Sequence, residues 1–176
     1  GVWQYDDLPV IVNNEGIRDG VFNPDFFKGN TFFRSLTYMS FAANYSIGEY
    51  ELFGYHLVNL IINIFAGIFL YLFILELFLT VKLKNGYDPH NVKMIAFLTA
   101  LLWMTAPINV QAVTYIVQRM TSMAGLFYFS ALFFYLKYRN YRFQNSSINK
   151  IYLTCYCISA ILAIMSKQNS LLLIPS

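Results

Sequence analysis

Polar and apolar positions interleave through residue 54 without a long apolar run, and four apolar stretches follow at about 55–81, 92–106, 120–136 and 151–165. A fifth begins at Leu171. The first stretch spans 27 residues, so as a helix it is roughly 40 Å long, against a bilayer core of about 30 Å. Eighteen of its residues are Leu, Ile, Phe or Val, which favour insertion by on the order of 8 kcal/mol together. Glu76 opposes this by at most about 3 kcal/mol, so insertion wins. The pattern predicts an all-α chain, a polytopic transmembrane helix bundle in which residues 1–54 form one long extracytoplasmic segment and 55–176 form the helices.

Composition agrees with that picture. Apolar residues make up 57% of the 176 residues and charged residues only 12%, about half the share in soluble domains. The placement of charge sets an orientation. Lys82, Lys84 and Lys93 flank one short connection, and Lys137, Arg139, Arg142 and Lys150 flank another. The positive-inside rule puts both on the cytoplasmic side. Residues 1–54, the connection 107–119 and the stretch around Lys167 then lie outside. Seven of the nine acidic residues fall within 1–54, and the modest net charge of +3 gives no reason to expect nucleic acid. Cys155 and Cys157, two apart on a helix, point to different faces and are not expected to bridge each other. The chain starts at Gly1 and stops at Ile174-Pro175-Ser176 within a new apolar run, so it reads as a stretch of something longer.

The ionisable residues near the outer boundary carry the candidate chemistry. Asp6 and Asp7 stand side by side before Pro9. One of two adjacent carboxylates at a water–lipid boundary can serve as a general base toward a hydroxyl, and a solvated turn is the alternative. Arg119 lies between apolar stretches, where its fork suits a phosphate or carboxylate or its stem anchors at the interface. Lys167, in Ser166-Lys167-Gln168-Asn169, interrupts apolar sequence on the same side, as a functional cation or as the polar cap of a helix hairpin. His56, Asn59 and Asn63 share one face of the first apolar helix and predict helix–helix hydrogen bonding rather than a metal site. Glu76, near the inner end of the first apolar stretch, is placed to pair with a loop lysine. Pro107 ends or kinks the second stretch. Two adjacent aspartates can hold a divalent ion, but no further ligand is spaced to help, so no metal site is assigned.

The order Tyr5-Asp6-Asp7, Ile11-Val12-Asn13-Asn14, Phe33-Arg34-Ser35-Leu36-Thr37-Tyr38, Gly54-Tyr55-His56-Leu57-Val58-Asn59-Leu60, Gln111-Ala112-Val113, Gln118-Arg119 and Ser166-Lys167-Gln168-Asn169 resembles the transmembrane and tetratricopeptide-repeat glycosyltransferases of the broad GT-C class, especially their bacterial relatives. The resemblance covers essentially the whole chain. It departs from the family pattern at Ser35, Asn63, Ala106 and Gln111. It implies a first membrane helix before Gly1, membrane-parallel helices in the first outer loop, and carboxyl-terminal repeats beyond the chain. It implies a polyprenyl-phosphate sugar as donor, a protein Ser or Thr or other hydroxyl as acceptor, and a bacterial inner membrane before an endoplasmic reticulum. The expected reaction is an inverting sugar transfer at the outer face of the membrane, with Asp6 or Asp7 as base, Arg119, Lys167 and Arg34 on the donor phosphate, and His56, Asn59 and Gln118 as polar residues lining the bundle. A transporter or flippase, or a non-catalytic assembly subunit, is the alternative reading.

Overall fold

The computed structural model describes residues 3, 5–85, 88–145 and 149–173, with the side chains of 81–85, 144–145 and 171–173 outside that description. Sequence readings on Gly1, on the side chains of Lys82, Lys84 and Leu171, and on 174–176 therefore lie outside the described residues. The described chain is helical and contains no strand. A π-helical turn Leu8–Val12, a short helix α1 (Glu15–Arg18) and 3-10 turns Pro24–Phe27 and Gly29–Arg34 lead into α2 (Ser35–Gly48). Then come α3 (Leu52–Asn85), α4 (Pro89–Thr105), α5 (Pro107–Thr114), a 3-10 turn Ile116–Gln118, α6 (Arg119–Asn145), α7 (Lys150–Ser166) and a 3-10 turn Gln168–Leu173.

The helix ends follow from local chemistry. The Asp88 side chain accepts the His90 amide and Pro89 occupies the first helical position of α4, where its missing N–H costs nothing. Asn149 caps α7 by accepting the Ile151 amide. Pro107 disfavours helical dihedrals at the residue before it. Ala106 accordingly sits at φ −58°, ψ 137°, and α5 departs from α4 at a bend of 57°.

α6 packs between α3 and α7, and α4 lies along the other flank of α3. α3 and α6 run parallel, Arg119 at the start of α6 meeting Tyr55 and Asn59 and Asn140 near its end meeting Glu76 and Thr80, whereas α4 runs antiparallel to α3 and α7 antiparallel to α6. One end of the row gathers the start of α3, the α5 connection, the start of α6 and the end of α7, tied by bonds such as Arg119 to Tyr55 O and Thr37 to Ser166 O. Over this end sits the amino-terminal segment, whose Ile11, Ile17, Phe26, Tyr38 and Phe41 pack with Tyr55, Ile116 and Met120. The opposite end carries a polar clasp: Asn140 Nδ2 donates to Glu76 Oε2 at 3.1 Å, Thr80 Oγ1 donates to Asn140 Oδ1 at 2.6 Å, and Lys137 Nζ lies 3.6 Å from Glu76 Oε1. Glu76 thus pairs with Lys137 inside α6, and not with a loop lysine as the sequence predicts. Both cysteines are free.

Among the described residues one helix alone, over Leu52–Thr80, is long and apolar enough to cross a membrane, with a mean hydropathy of 2.4; α4 with α5 makes a second only if the bent pair counts as one span. α7 is apolar but has 17 residues, and α6 becomes polar beyond Leu136. Only 39% of the most apolar stretch of α3 is buried. Leu57, Leu60, Ile61, Ile64, Phe65 and Ile68 on α3, Phe97, Leu98, Leu101 and Leu102 on α4, and Ile151, Ile158 and Ile161 on α7 are all exposed. A bare apolar surface spread over three helices calls for lipid or a partner.

Gly67 on α3 gives room to the Met104 side chain of α4. A Cβ added there would overlap Met104 Sδ and come within 2.7 Å of Met104 Cγ. Gly67→Val is expected to lower the thermal midpoint of the purified protein, by about 1–3 kcal/mol of overpacking, and Met104→Ala to restore part of it. An unchanged midpoint in the single variant would show that α4 is not held there.

Candidate functional site

The two adjacent aspartates, equivalent in sequence, separate in the structure. Asp7 is 1% exposed, and its Oδ1 accepts the Val117 amide at 2.8 Å. The Asp6 side chain is exposed, and its own amide donates to the Tyr115 hydroxyl at 3.2 Å. Desolvation first, then the hydrogen bond with Asp6, push the Tyr115 pKa upward, so at neutral pH this residue remains a neutral hydroxyl. The first turn of the chain is thereby pinned at two points to the connection between α5 and α6, 109 and 110 residues away.

That connection is braced from α3. His56 Nδ1 lies 3.2 Å from Val113 O, a bond that requires the Nδ1–H form of the ring. Asn59 Nδ2 donates to Ile116 O at 3.3 Å and to Ala112 O at 3.5 Å. A helix interrupted at Tyr115 leaves carbonyls without intrahelical donors, and these two side chains satisfy them. His56 and Asn59 thus tie α3 to this connection.

An open cavity of about 290 Å³ forms where the pinned turn meets the helix ends, lined by Asp6, Pro9, Val10, Arg34, Val117, Gln118, Met120, Thr121 and Lys167. Four elements supply its polar wall: the first turn brings Asp6, the residue before α2 brings Arg34, the start of α6 brings Gln118 and Thr121, and the end of α7 brings Lys167. Buried Thr37 donates to Ser166 O at 3.2 Å and joins the two cation-bearing ends, since Arg34 precedes α2 and Lys167 follows α7. Lys167 Nζ donates to Thr121 Oγ1 at 2.7 Å, and Thr121 Oγ1 donates to Gln118 Oε1 at 2.9 Å. Among the described residues Asp6, Arg34 and Lys167 enter no ion pair; the pairs formed are Lys28 with Asp25 and Lys137 with Glu76. The lining side chains thus comprise two cations and one carboxylate, one more positive charge than negative. Three other grooves, between α3 and α4 and between α3, α6 and α7, are lined almost wholly by apolar side chains.

Arg119 does not reach the cavity, and it is no interfacial anchor either. It is 0% exposed. Nε donates to Asn59 Oδ1 at 2.6 Å, Nη1 to Asn44 Oδ1 at 2.6 Å and Ser40 O at 3.1 Å, and Nη2 to Tyr55 O at 3.0 Å. The guanidinium also stacks on Phe41, 4.6 Å from its ring centre, an attraction between cation and ring face. Buried and bonded in this way, Arg119 joins α2, α3 and α6 instead of facing the cavity. The expected donor-binding set therefore divides: Arg34 and Lys167 face the cavity, and Arg119 holds the scaffold.

No group of three or more His, Cys, Asp or Glu side chains gathers among the described residues, and Asp7 turns away from Asp6 onto the Val117 amide. Sequence reasoning missed Thr121, Tyr115 and Thr37. Thr121 left a readable trace, since it follows Gln118 by three residues and so shares its helical face. Tyr115 and Thr37 left none, because their partners are distant in the chain.

The chain is similar to a protein O-mannosyl-transferase of Caenorhabditis elegans, 28% identical across 99% of this chain and 24% of the relative. It is similar also to the protein O-mannosyl-transferases Tmtc3 of Drosophila melanogaster and TMTC3 of Mus musculus, each 26% identical across 76% of this chain and 16% and 14% of the relatives. The chain thus spans about a quarter of the worm protein and about a seventh of the mouse protein. No family model and no solved structure matches it.

Proposed function

We propose that this chain is the sugar-transferring part of a polytopic membrane glycosyltransferase of the GT-C class, moving a sugar, mannose by the names of its relatives, from a polyprenyl phosphate to a hydroxyl, in the first instance a protein Ser or Thr. The observation that carries the reading is the cavity in which Asp6 faces Arg34 and Lys167 with no ion pair neutralising them. The bare apolar faces of α3, α4 and α7 support helices set in lipid. The positive-inside rule then puts the cavity end on the outer side, because Lys137 and Lys150 lie at the other end.

In the transfer, the acceptor hydroxyl oxygen attacks C1 of the sugar as the bond from C1 to the phosphate oxygen breaks. Asp6 takes the hydroxyl proton and later releases it to water. The leaving phosphate gains negative charge, and Lys167 and Arg34 stabilise it, being oriented before the reaction begins. The surplus charge of the cavity has the sign that an anionic leaving group needs. Asp7 and Arg119 hold the walls.

A transporter reading has one observation in its favour, the 57° bend between α4 and α5, since transporters use broken helices. At this break the Trp103 carbonyl already accepts from the Ala106 amide and from Asn109 Nδ2, which leaves fewer groups to coordinate cargo.

The test is transfer of mannose from a polyprenyl-phosphate donor to an acceptor peptide by the full-length protein in vesicles. Lys167→Met and Arg34→Met are each expected to reduce transfer by on the order of 10²-fold with unchanged melting. Full transfer by both variants would refute the phosphate assignment, and donor movement across the bilayer without transfer would favour the transporter.

A further inference from the structure

We infer that Thr121 is a positioning residue for Lys167, an uncharged latch that aims the ammonium into the cavity without neutralising it. The inference rests on the transferase reading of that cavity. A lysine head on four rotatable carbons has no orientation of its own, yet Lys167 Nζ lies 2.7 Å from Thr121 Oγ1. The same hydroxyl spends its proton on Gln118 Oε1 at 2.9 Å. It therefore presents a lone pair, and no competing proton, to the lysine. Thr121 is set by the first turn of α6, whose start is fixed by the buried Arg119. The other end of the latch is set by Thr37 donating to Ser166 O, which fixes the backbone one residue before Lys167.

The choice of side chain matters electrostatically. An aspartate or glutamate at 121 would hold the ammonium more firmly but would cancel the surplus positive charge. A hydroxyl holds its direction and leaves the full charge for an anionic group, here the donor phosphate. The latch therefore needs an acceptor that carries no charge, and its donor bond to Gln118 makes the threonine hydroxyl an acceptor toward the lysine.

The experiment is a double-mutant cycle in the full-length protein in vesicles, with polyprenyl-phosphate mannose as donor. Thr121→Val keeps the shape and removes the hydroxyl. It is expected to raise the KM for donor by roughly ten-fold, while Thr121→Ser recovers most of the loss. Thr121→Asp is expected to be worse than valine, because it keeps the geometry and removes the charge. In a Lys167→Met background Thr121→Val should add nothing, since a latch without its lysine has no function. Melting curves of each variant, expected to match the parent because these groups are exposed, separate this from unfolding. Equal losses from Thr121→Val with and without Lys167 would overturn the inference, as would aspartate performing as well as threonine. Impaired transfer in Lys167→Met beside normal donor KM in Thr121→Val would overturn the latch alone. Normal transfer in Lys167→Met would overturn the reading of the cavity and the latch with it.

Discussion

Replacing Asp6 by Asn is expected to lower sugar transfer by on the order of 10²- to 10⁴-fold, the range for loss of a positioned general base, with no change in melting temperature. Replacing Asp7 by Asn is expected to cost no more than about ten-fold, because the amide oxygen of Asn can still accept the Val117 amide, though less strongly than a carboxylate. The contrast comes from surroundings and not from chemical type. Asp6 opens onto the cavity with Arg34 and Lys167, whereas Asp7 is buried against Val117. Asp7→Ala should behave differently from Asp7→Asn. It strands a buried N–H, at a cost of about 1–3 kcal/mol, and frees the turn that carries Asp6, so both stability and activity should fall. Transfer rates and thermal midpoints of the three variants, measured on the same preparation, decide the matter. An active Asp6→Asn protein beside a dead, folded Asp7→Asn protein would reverse the assignment.

The second large effect is expected at Arg119. Truncation to Ala should destabilise the protein by on the order of 3–5 kcal/mol, since several acceptors on Asn59, Asn44, Ser40 and Tyr55 lose their donors together at about 1 kcal/mol or more each. Arg119→Lys should recover only a minor part. A lysine has one donating head and cannot reach three helices at once, as a planar fork does. Melting and protease resistance in detergent should both fail in these variants before any kinetic constant can be read. Had Arg119 gripped the donor phosphate, Arg119→Lys would keep the parent melting curve and raise the donor KM alone. That result would contradict the buried placement.

Both predictions turn on a distinction that the sequence could not make. Asp6 and Asp7 are neighbours with the same side chain, and which of them meets Val117 depends on a contact 110 residues away. Arg119 and Lys167 look alike as lone cations beside apolar runs, yet one is enclosed by α2 and α3 and the other stands at an open helix end. The connection 107–119 reads as a plain turn because Pro107 interrupts the apolar pattern. It folds into α5 and a 3-10 turn whose free carbonyls are met by His56 and Asn59. Hydropathy reports on transfer from water to lipid, residue by residue, and carries no information about such partners.

The sequence by itself determined the elements: an all-helical chain, a long first apolar helix, a stop at Pro107, and charges sorted toward opposite helix ends. These are local or additive effects, set by dihedral preference, capping and hydrophobic transfer, so they can be read along the chain. Only the tertiary structure decided which of the five expected site residues share a cavity. It brought Asp6, Arg34 and Lys167 together, buried Asp7 and Arg119, and recruited Thr121. The reason is that a buried donor or acceptor must find its partner wherever the packed helices bring one within about 3 Å, and that distance is a property of the packing rather than of any segment.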